Sequence, residues 1–290
     1  MIYELNNNQI IAKVNSFGAE LCSVISKETG IEYIWQAESN VWARHAPNLF
    51  PIVGKLKEGS YNYQDKSYQL PQHGFARDNE FICIEETTST LIFELKSNEK
   101  SLAIYPFHFN LQITYTLIKN SVIVNYRIFN PDKDMLSFSI GAHPAFNCPL
   151  IANETFEDYE LIFPNKNSLT INLLNDGLIS DQTKEITLIN NSITITKKLF
   201  DDDALVFTNH QIDEVQLISA KTKRGVILKS INWPYFGIWT KKNTSKFVCL
   251  EPWYGIADFE NAKGDFSTKE GIIQVKAKED FNCEFEMVFI

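Results

Sequence analysis

Apolar side chains recur at every second position along most of this chain, and nowhere do they hold the i, i+3, i+4, i+7 spacing of a helix for three turns. That alternation constrains the fold more than any other feature, because a period of two buries one face of a pleated strand and gives a helix no continuous apolar stripe. Leu111-Gln-Ile-Thr-Tyr-Thr-Leu-Ile places Leu111, Ile113, Tyr115 and Leu117 on one face, and Ser121-Val-Ile-Val-Asn-Tyr-Arg-Ile-Phe follows the short break Lys119-Asn120. The pair is expected to form a β-hairpin. Comparable runs lie at Thr90 to Lys96, Ser192 to Lys197, Glu214 to Ser219, Gly225 to Ile231 and Cys283 to Ile290. Only Lys198 to Phe207 and Thr155 to Tyr159 offer so much as a helical turn. The expected class is all-β and antiparallel.

No composition shift, linker or internal repeat divides the 290 residues, so a single domain spanning 1–290 is expected. So many strands in one domain should close as two large packed sheets, since a single open sheet would expose an apolar face and long edges. The 12 glycines are dispersed, with neither G-x-G-x-x-G nor G-x-x-x-x-G-K-[ST], which disfavours a dinucleotide or nucleoside triphosphate as cofactor. Twenty-seven basic against 36 acidic residues, a net charge of -9 with no basic cluster, argue against a nucleic acid partner. The start Met1-Ile-Tyr-Glu-Leu-Asn has no signal-peptide character, and no apolar run reaches a membrane-spanning length, so no membrane partner is expected. Five scattered cysteines, Cys22, Cys83, Cys148, Cys249 and Cys283, form no Cys-x-x-Cys pair and fit a reducing cytoplasm.

Four segments depart from plain strand or turn composition: Ala46-Pro-Asn-Leu-Phe-Pro-Ile-Val-Gly-Lys-Leu-Lys, Gln72-His-Gly-Phe-Ala-Arg-Asp, Ile140-Gly-Ala-His-Pro-Ala-Phe-Asn and Cys249-Leu-Glu-Pro-Trp-Tyr-Gly. Each sets a polar group among Gly, Pro and aromatics, as a rigid and partly apolar pocket wall does. His143, in an apolar stretch, needs a hydrogen-bond partner or a chemical task, and its residue type alone leaves both open. His73 precedes Gly74, which permits close approach by a ligand or by backbone, and again both readings stand. Glu251 ends the apolar run Phe247-Val-Cys-Leu beside Pro252 and Trp253, where a carboxyl should have a raised pKa suited to proton transfer. His45 and His210 read as solvent-facing, and His108 as packing at a strand entry. His73, His143 and Glu251 lack the close spacing of a metal motif, so no metal is expected, although a zinc site built from distant segments is conceivable. No G-x-S-x-G nucleophile elbow is present.

Taken together, Phe50-Pro-Ile-Val-Gly, His73-Gly-Phe-Ala-Arg-Asp, Gly141-Ala-His-Pro-Ala-Phe and Glu251-Pro-Trp, in that order, resemble the aldose 1-epimerase (galactose mutarotase-like) family, its LacX-type branch, near the hexose-6-phosphate mutarotases. The resemblance covers essentially the whole chain. It implies a β-supersandwich and an isomerase that interconverts the α and β anomers of a hexose or hexose 6-phosphate. It also implies roles: His143 as general acid toward the ring oxygen, Glu251 as general base toward the C1 hydroxyl, and His73 as a hydrogen-bonding stabiliser of developing charge. The partner would be a small sugar or sugar phosphate, with no cofactor. Arg77 matches a position that looks like a phosphate ligand in the sugar-phosphate members, and an ion pair with Asp78 is its alternative role. Lys55 stands where the pattern more often has Arg, which keeps the charge and loses the planar fork. Asp203 best matches the sugar-hydroxyl acceptor within Asp201-Asp202-Asp203, and Trp239 and Trp253 would pack on the sugar's C–H face or in the core. A non-catalytic sugar-binding protein on the same fold is the alternative, opposed by the presence of both His143 and Glu251. A glycosidase would need two carboxylates about the scissile bond.

Overall fold

The computed structural model describes residues 1–290. Strands supply most of its regular structure, and the two largest sheets are antiparallel throughout. One sheet has nine strands in the order Ser192–Thr194, Tyr159–Ile162, Glu214–Ser219, Gly225–Lys229, Asp280–Phe289, Ser121–Phe129, Asn110–Ile118, Thr90–Lys96 and Ile82–Glu86. The other runs Leu178–Thr187, Ser168–Asn175, Leu205–Phe207, Tyr235–Trp239, Phe247–Tyr254, Ile140–Ala142 and Asn48–Leu49. Its eighth strand, Ala145–Asn147, pairs with Phe247–Tyr254.

The expected hairpin forms with Ser121 opposite Ile118, and Lys119 takes a φ of 53° at the turn. Thr90–Lys96 and Glu214–Ser219 match the alternating runs residue for residue. The run from Ser192 stops at Thr194, because a 3-10 turn starts at Lys197, and the last strand extends back to Asp280. Phe156–Asp158 forms the other short turn. A six-residue α-helix, Glu99–Ile104, is too short to show a periodic stripe. Its sequence signal is local: Asn98 and Ser101 cap each other reciprocally. No helix is long and apolar enough to cross a membrane.

Alternation decides where the core sits. Leu111, Ile113, Tyr115 and Leu117 are all buried and belong to one cluster of 65 apolar side chains that extends from Leu5 to Phe289. Phe50 anchors an aromatic nest within it, with Phe75, Tyr105, Phe109 and Phe138 at centroid distances of 4.9 to 6.3 Å. Asn48 ties the two large sheets through buried polar contacts: its Nδ2 donates to the Gly18 and Ala19 carbonyls at 2.9 Å, and its Oδ1 accepts from the Tyr126 hydroxyl at 2.6 Å.

The strand Phe247–Tyr254 is buried on both faces, as a strand in the middle of a covered sheet must be. Val248 and Leu250 turn into the main core, whereas Phe247, Cys249 and Trp253 belong to two smaller clusters on the opposite face. Glu251 shares that second face. It is the outer face of the eight-stranded sheet that carries the polar residues discussed below.

Candidate active site

A cleft of ≈ 380 Å³ opens on this outer face, within the size range of small-ligand pockets. His73, Arg77, His143, Asp203, Trp239, Glu251 and Trp253 all line it, although they come from distant stretches of chain. The sequence pattern did not single out Trp42, which lines it too.

Glu251 sits mid-strand, paired across the sheet with Gly237, and only 2 % of it is exposed. Gly237 leaves the room that Trp253 occupies: a Cβ there would lie 2.3 Å from the indole Cη2. Gly141, opposite Trp253 on the next strand, does the same from the other side, with 2.8 Å to Cδ1. The indole therefore lies flat across three strands and forms a floor beside the carboxyl. Burial pushes the Glu251 carboxyl well above the usual carboxylate range, and the nearby Trp253 N–H opposes that rise without forming a well-aligned hydrogen bond.

His143 follows the short strand Ile140–Ala142, and its backbone N–H donates to the Pro47 carbonyl at 3.1 Å. Its Nε2 lies 3.2 Å from Glu251 Oε2. Burial drives its pKa down to about 3, helped by the charges of Arg77 and Arg44. Burial thus disfavours the charged form of each group, and the two stand close enough to exchange a proton.

His73 occupies a left-handed backbone position, φ 66°, directly before Gly74, φ 70°. The turn demands glycine at 74, since a Cβ there would meet the Phe50 carbonyl oxygen at 2.2 Å. His73 and Gly54 clamp each other: the His73 N–H donates to the Gly54 carbonyl at 2.8 Å, and the Gly54 N–H donates to His73 Nδ1 at 3.1 Å. A neutral ring whose Nδ1 accepts must carry its proton on Nε2. Burial keeps the ring neutral by holding its pKa well below the ordinary value, with His143 and Arg77 adding to the effect. His73 is therefore a hydrogen-bond donor at Nε2, which the Gln72 side-chain amide approaches at 3.3 Å.

Arg77 donates from Nη2 to the Gln72 carbonyl at 2.6 Å, and its Nε stands 3.8 Å from Asp78, which binds Arg44 more closely at 2.9 Å. Burial and the Arg44 charge lower the Arg77 guanidinium to about 10, so it remains a cation at neutral pH. Asp203 is exposed at the cleft rim with a φ of 82°, and its Oδ1 accepts from the Ala204 N–H. Lys55 stands apart from the others. Its Nζ donates to the backbone carbonyl and to Oδ2 of Asp176, both at 2.8 Å, and it does not line the cleft.

Three polar atoms of residues that line the cleft are buried with no hydrogen-bond partner in the protein, Arg77 Nε, His143 Nδ1 and Trp253 Nε1, and Glu251 Oε2 faces His143 Nε2 alone. Buried polar groups are nearly always paired, so this cluster marks a surface suited to a ligand with polar groups of its own. A second cavity of ≈ 410 Å³ lies beyond the Ile256–Asp258 loop, lined by Lys269, Asp258 and Glu270. There the buried Lys269 ammonium is 3.2 Å from Asp258 and also donates to the Ile256 carbonyl. This ion pair holds the loop together.

Two of the three remaining histidines differ from their expected settings. His45 is half-buried, with its ring 3.6 Å from Glu20, whose Oε1 also accepts from the backbone N–H of His45 and Ala46. His108 is exposed, because the strand that follows starts at Asn110 and its neighbours Phe107 and Phe109 take the core positions. His210 is exposed as expected. His143, Cys249 and Glu251 bring one ligand atom each within 4.8 Å of one another, a spacing compatible with a metal. Burial pushes the Cys249 thiol well up, so a metal bound there would have to displace its proton.

Comparison with known proteins bears on the fold and the family. The family described as aldose 1-epimerase matches residues 1–274. Protein LacX (chromosomal) of Lactococcus lactis subsp. lactis is 34% identical over 266 residues, 89% of this chain and 89% of that protein. Among solved structures, a galactose mutarotase related enzyme from Lactobacillus acidophilus superposes with a TM-score of 0.95 at 35% identity, covering 100% of this chain and 97% of the other. A galactose mutarotase-like protein from Lactobacillus casei ATCC 334 gives 0.91 at 28% identity, with 100% of both chains covered. The fold is that of the galactose mutarotase-like proteins, and the chain belongs to the aldose 1-epimerase family, which supports a sugar epimerase or mutarotase role.

Proposed function

We propose that residues 1–290 act as one domain that interconverts the α and β anomers of a hexose or hexose 6-phosphate in a reducing cytoplasm, by general acid and base catalysis without a cofactor. The carrying observation is the buried pair His143 and Glu251, 3.2 Å apart, in a cleft whose orphaned polar atoms suit a polyhydroxylated ligand.

The proton inventory of this pair matches the reaction. When a sugar enters, the proton passes from Glu251 to His143, giving an imidazolium and a carboxylate. Glu251 then removes the C1 hydroxyl proton while His143 delivers its own to the ring oxygen; the C1–O5 bond breaks and an open-chain aldehyde forms. The pair is left as neutral imidazole and protonated carboxyl, its resting form. After C1 rotates about the C1–C2 bond, the O5 hydroxyl attacks the other face, its proton returns to His143 and Glu251 reprotonates O1. No solvent proton is consumed. His73 Nε2–H donates to whichever oxygen gains negative charge, its orientation fixed by Gly54.

Arg77 is the group that would select a phosphorylated sugar, because it is a retained cation with a free Nε. Asp203 would accept from a sugar hydroxyl, with Trp239 and Trp253 against the C–H face. Lys55 is left out of the contact set, since Asp176 holds its ammonium.

NMR magnetisation exchange on freshly equilibrated glucose, galactose and their 6-phosphates tests the reading. Acceleration of anomer exchange by wild type, abolished in His143→Ala and Glu251→Gln, is expected. Arg77→Met should raise KM for the phosphates while sparing the free sugars. Binding without acceleration would instead support a sugar-binding protein.

A further inference from the structure

The acid step needs His143 to become a cation in a site that disfavours one. The groups facing the ring are Glu251 at 3.2 Å, His73 edge-on at a centroid distance of 5.5 Å, Cys249, and the Arg77 and Arg44 charges, while Asp203 acts on Glu251. The two arginines oppose an imidazolium, His73 is neutral, and Cys249 remains a thiol. Nδ1 of His143 has no well-formed hydrogen bond, although the residue's own backbone carbonyl favours the cation. An aromatic face is placed to favour it as well: the Trp42 indole stacks on the imidazole at 5.1 Å with 27° between planes.

That indole is built in. It also stacks on Phe247 at 5.5 Å and 19°, and Phe247 in turn packs on Trp35 at 5.0 Å, so four aromatic rings form a contiguous cluster that includes His143. Trp239 closes the cluster edge-on, 5.6 Å from Trp42 and 5.7 Å from His143. The loop bearing Trp42 is pinned as well. Trp35 Nε1 donates to the Trp42 carbonyl at 2.9 Å, Lys241 donates to the Val41 carbonyl, and Lys246 pairs with Glu38. Trp42 is half-buried and lines the cleft, and its ring packs against both His143 and Phe247.

We propose that Trp42 is a positioning residue for the acid step: its indole, backed by Phe247 and Trp35, fixes the plane of the His143 ring and stabilises the positive charge that the ring takes up during ring opening. The inference rests on the epimerase reading above. It separates Trp42 from Trp239 and Trp253, whose proposed partner is the sugar itself.

The test is anomer exchange by wild type, Trp42→Phe and Trp42→Leu, with the dissociation constant for 1,5-anhydroglucitol or its 6-phosphate, which lack the anomeric hydroxyl, as a measure of an intact cleft. Trp42→Leu should lower kcat about three- to thirtyfold. KM and the anhydro-sugar constant should stay within about twofold, and Trp42→Phe, which keeps a π face, should recover most of the loss. An unchanged kcat in Trp42→Leu overturns the inference, as does a loss confined to KM or a Trp42→Phe as impaired as Trp42→Leu. A wild type inert toward all four sugars overturns the epimerase reading and this inference with it, whereas an active wild type with an unaffected Trp42→Leu overturns the inference alone.

Discussion

Gly237→Ala tests how the sheet shapes the site. The added Cβ would stand 2.3 Å from Trp253 Cη2 and 2.4 Å from Cζ2, and these atoms belong to a rigid ring with no flexible end to yield. Reaching the 3.4 Å of ordinary contact from 2.3 Å requires a retreat of about 1.1 Å. The indole is also confined over Gly141, so the available movement lifts it off the sheet into the cleft. Overpacking of this kind destabilises by about 1–3 kcal/mol, and each kcal/mol lowers Tm by roughly 2–4 °C in a chain of this size. A displacement of about 1 Å beside Glu251 should also lower kcat/KM by up to about a hundredfold. Urea and thermal unfolding give the first quantity and anomer exchange the second. Replacing Trp253 by Phe removes the colliding ring atoms, so the double variant Gly237→Ala/Trp253→Phe should lose less stability than the two single losses added together. A Gly237→Ala protein with wild-type Tm and kcat/KM would refute the proposition that the indole lies against that glycine.

Stability should depend on pH through both members of the acid/base pair. The Glu251 pKa is raised by burial, so its contribution is complete below about 4.5 and is lost as pH rises through the higher folded value. Glu251→Gln should therefore gain on wild type in urea unfolding by at most about 1.4 kcal/mol per pH unit above 4.5, and a constant difference would contradict the raised value. His143 has the opposite sign: lowered to about 3, its contribution is present above the ordinary 6.5 and is lost as pH falls toward 3, a loss that His143→Gln should not show. Lys55→Met should leave kcat/KM within about twofold of wild type, since the ammonium is bound to Asp176; a tenfold loss would place it on the substrate. Asn48→Leu strands the buried Tyr126 hydroxyl and the Gly18 carbonyl, whereas Ala19 keeps its bond from the Tyr115 hydroxyl, and should destabilise by about 2 kcal/mol in denaturant titration.

The period of two was enough to read the antiparallel class and the longer strands of the nine-stranded sheet, because Leu111 to Leu117 and Thr90 to Lys96 each bury one face and wet the other. It failed where both faces are covered. In Phe247–Tyr254 every residue but the last is buried, so polarity no longer reports direction, and only the packing distinguishes Leu250 from Glu251. His73, His143 and Glu251 stood out because Gly, Pro and Trp surround them, and those neighbours now have physical reasons: Gly74 approaches Phe50, and Gly141 approaches Trp253. Trp42 carried no such mark. It lies between Val41 and Ala43 in a loop, and its importance comes from Phe247 and His143, which fold against it from far along the chain. Lys55 shows the converse limit, since nothing local foretells that Asp176 captures it.

The most direct test of the central claim is the rate of anomer exchange at neutral pH, measured by NMR magnetisation transfer for wild type, His143→Ala, Glu251→Gln and the double variant. One shared proton that serves both ends of the reaction makes the two residues a unit, so either single variant should lose nearly all the acceleration and the double should lose no more. Independent, multiplying losses, or a Glu251→Gln protein that retains most of the wild-type rate, would contradict the account.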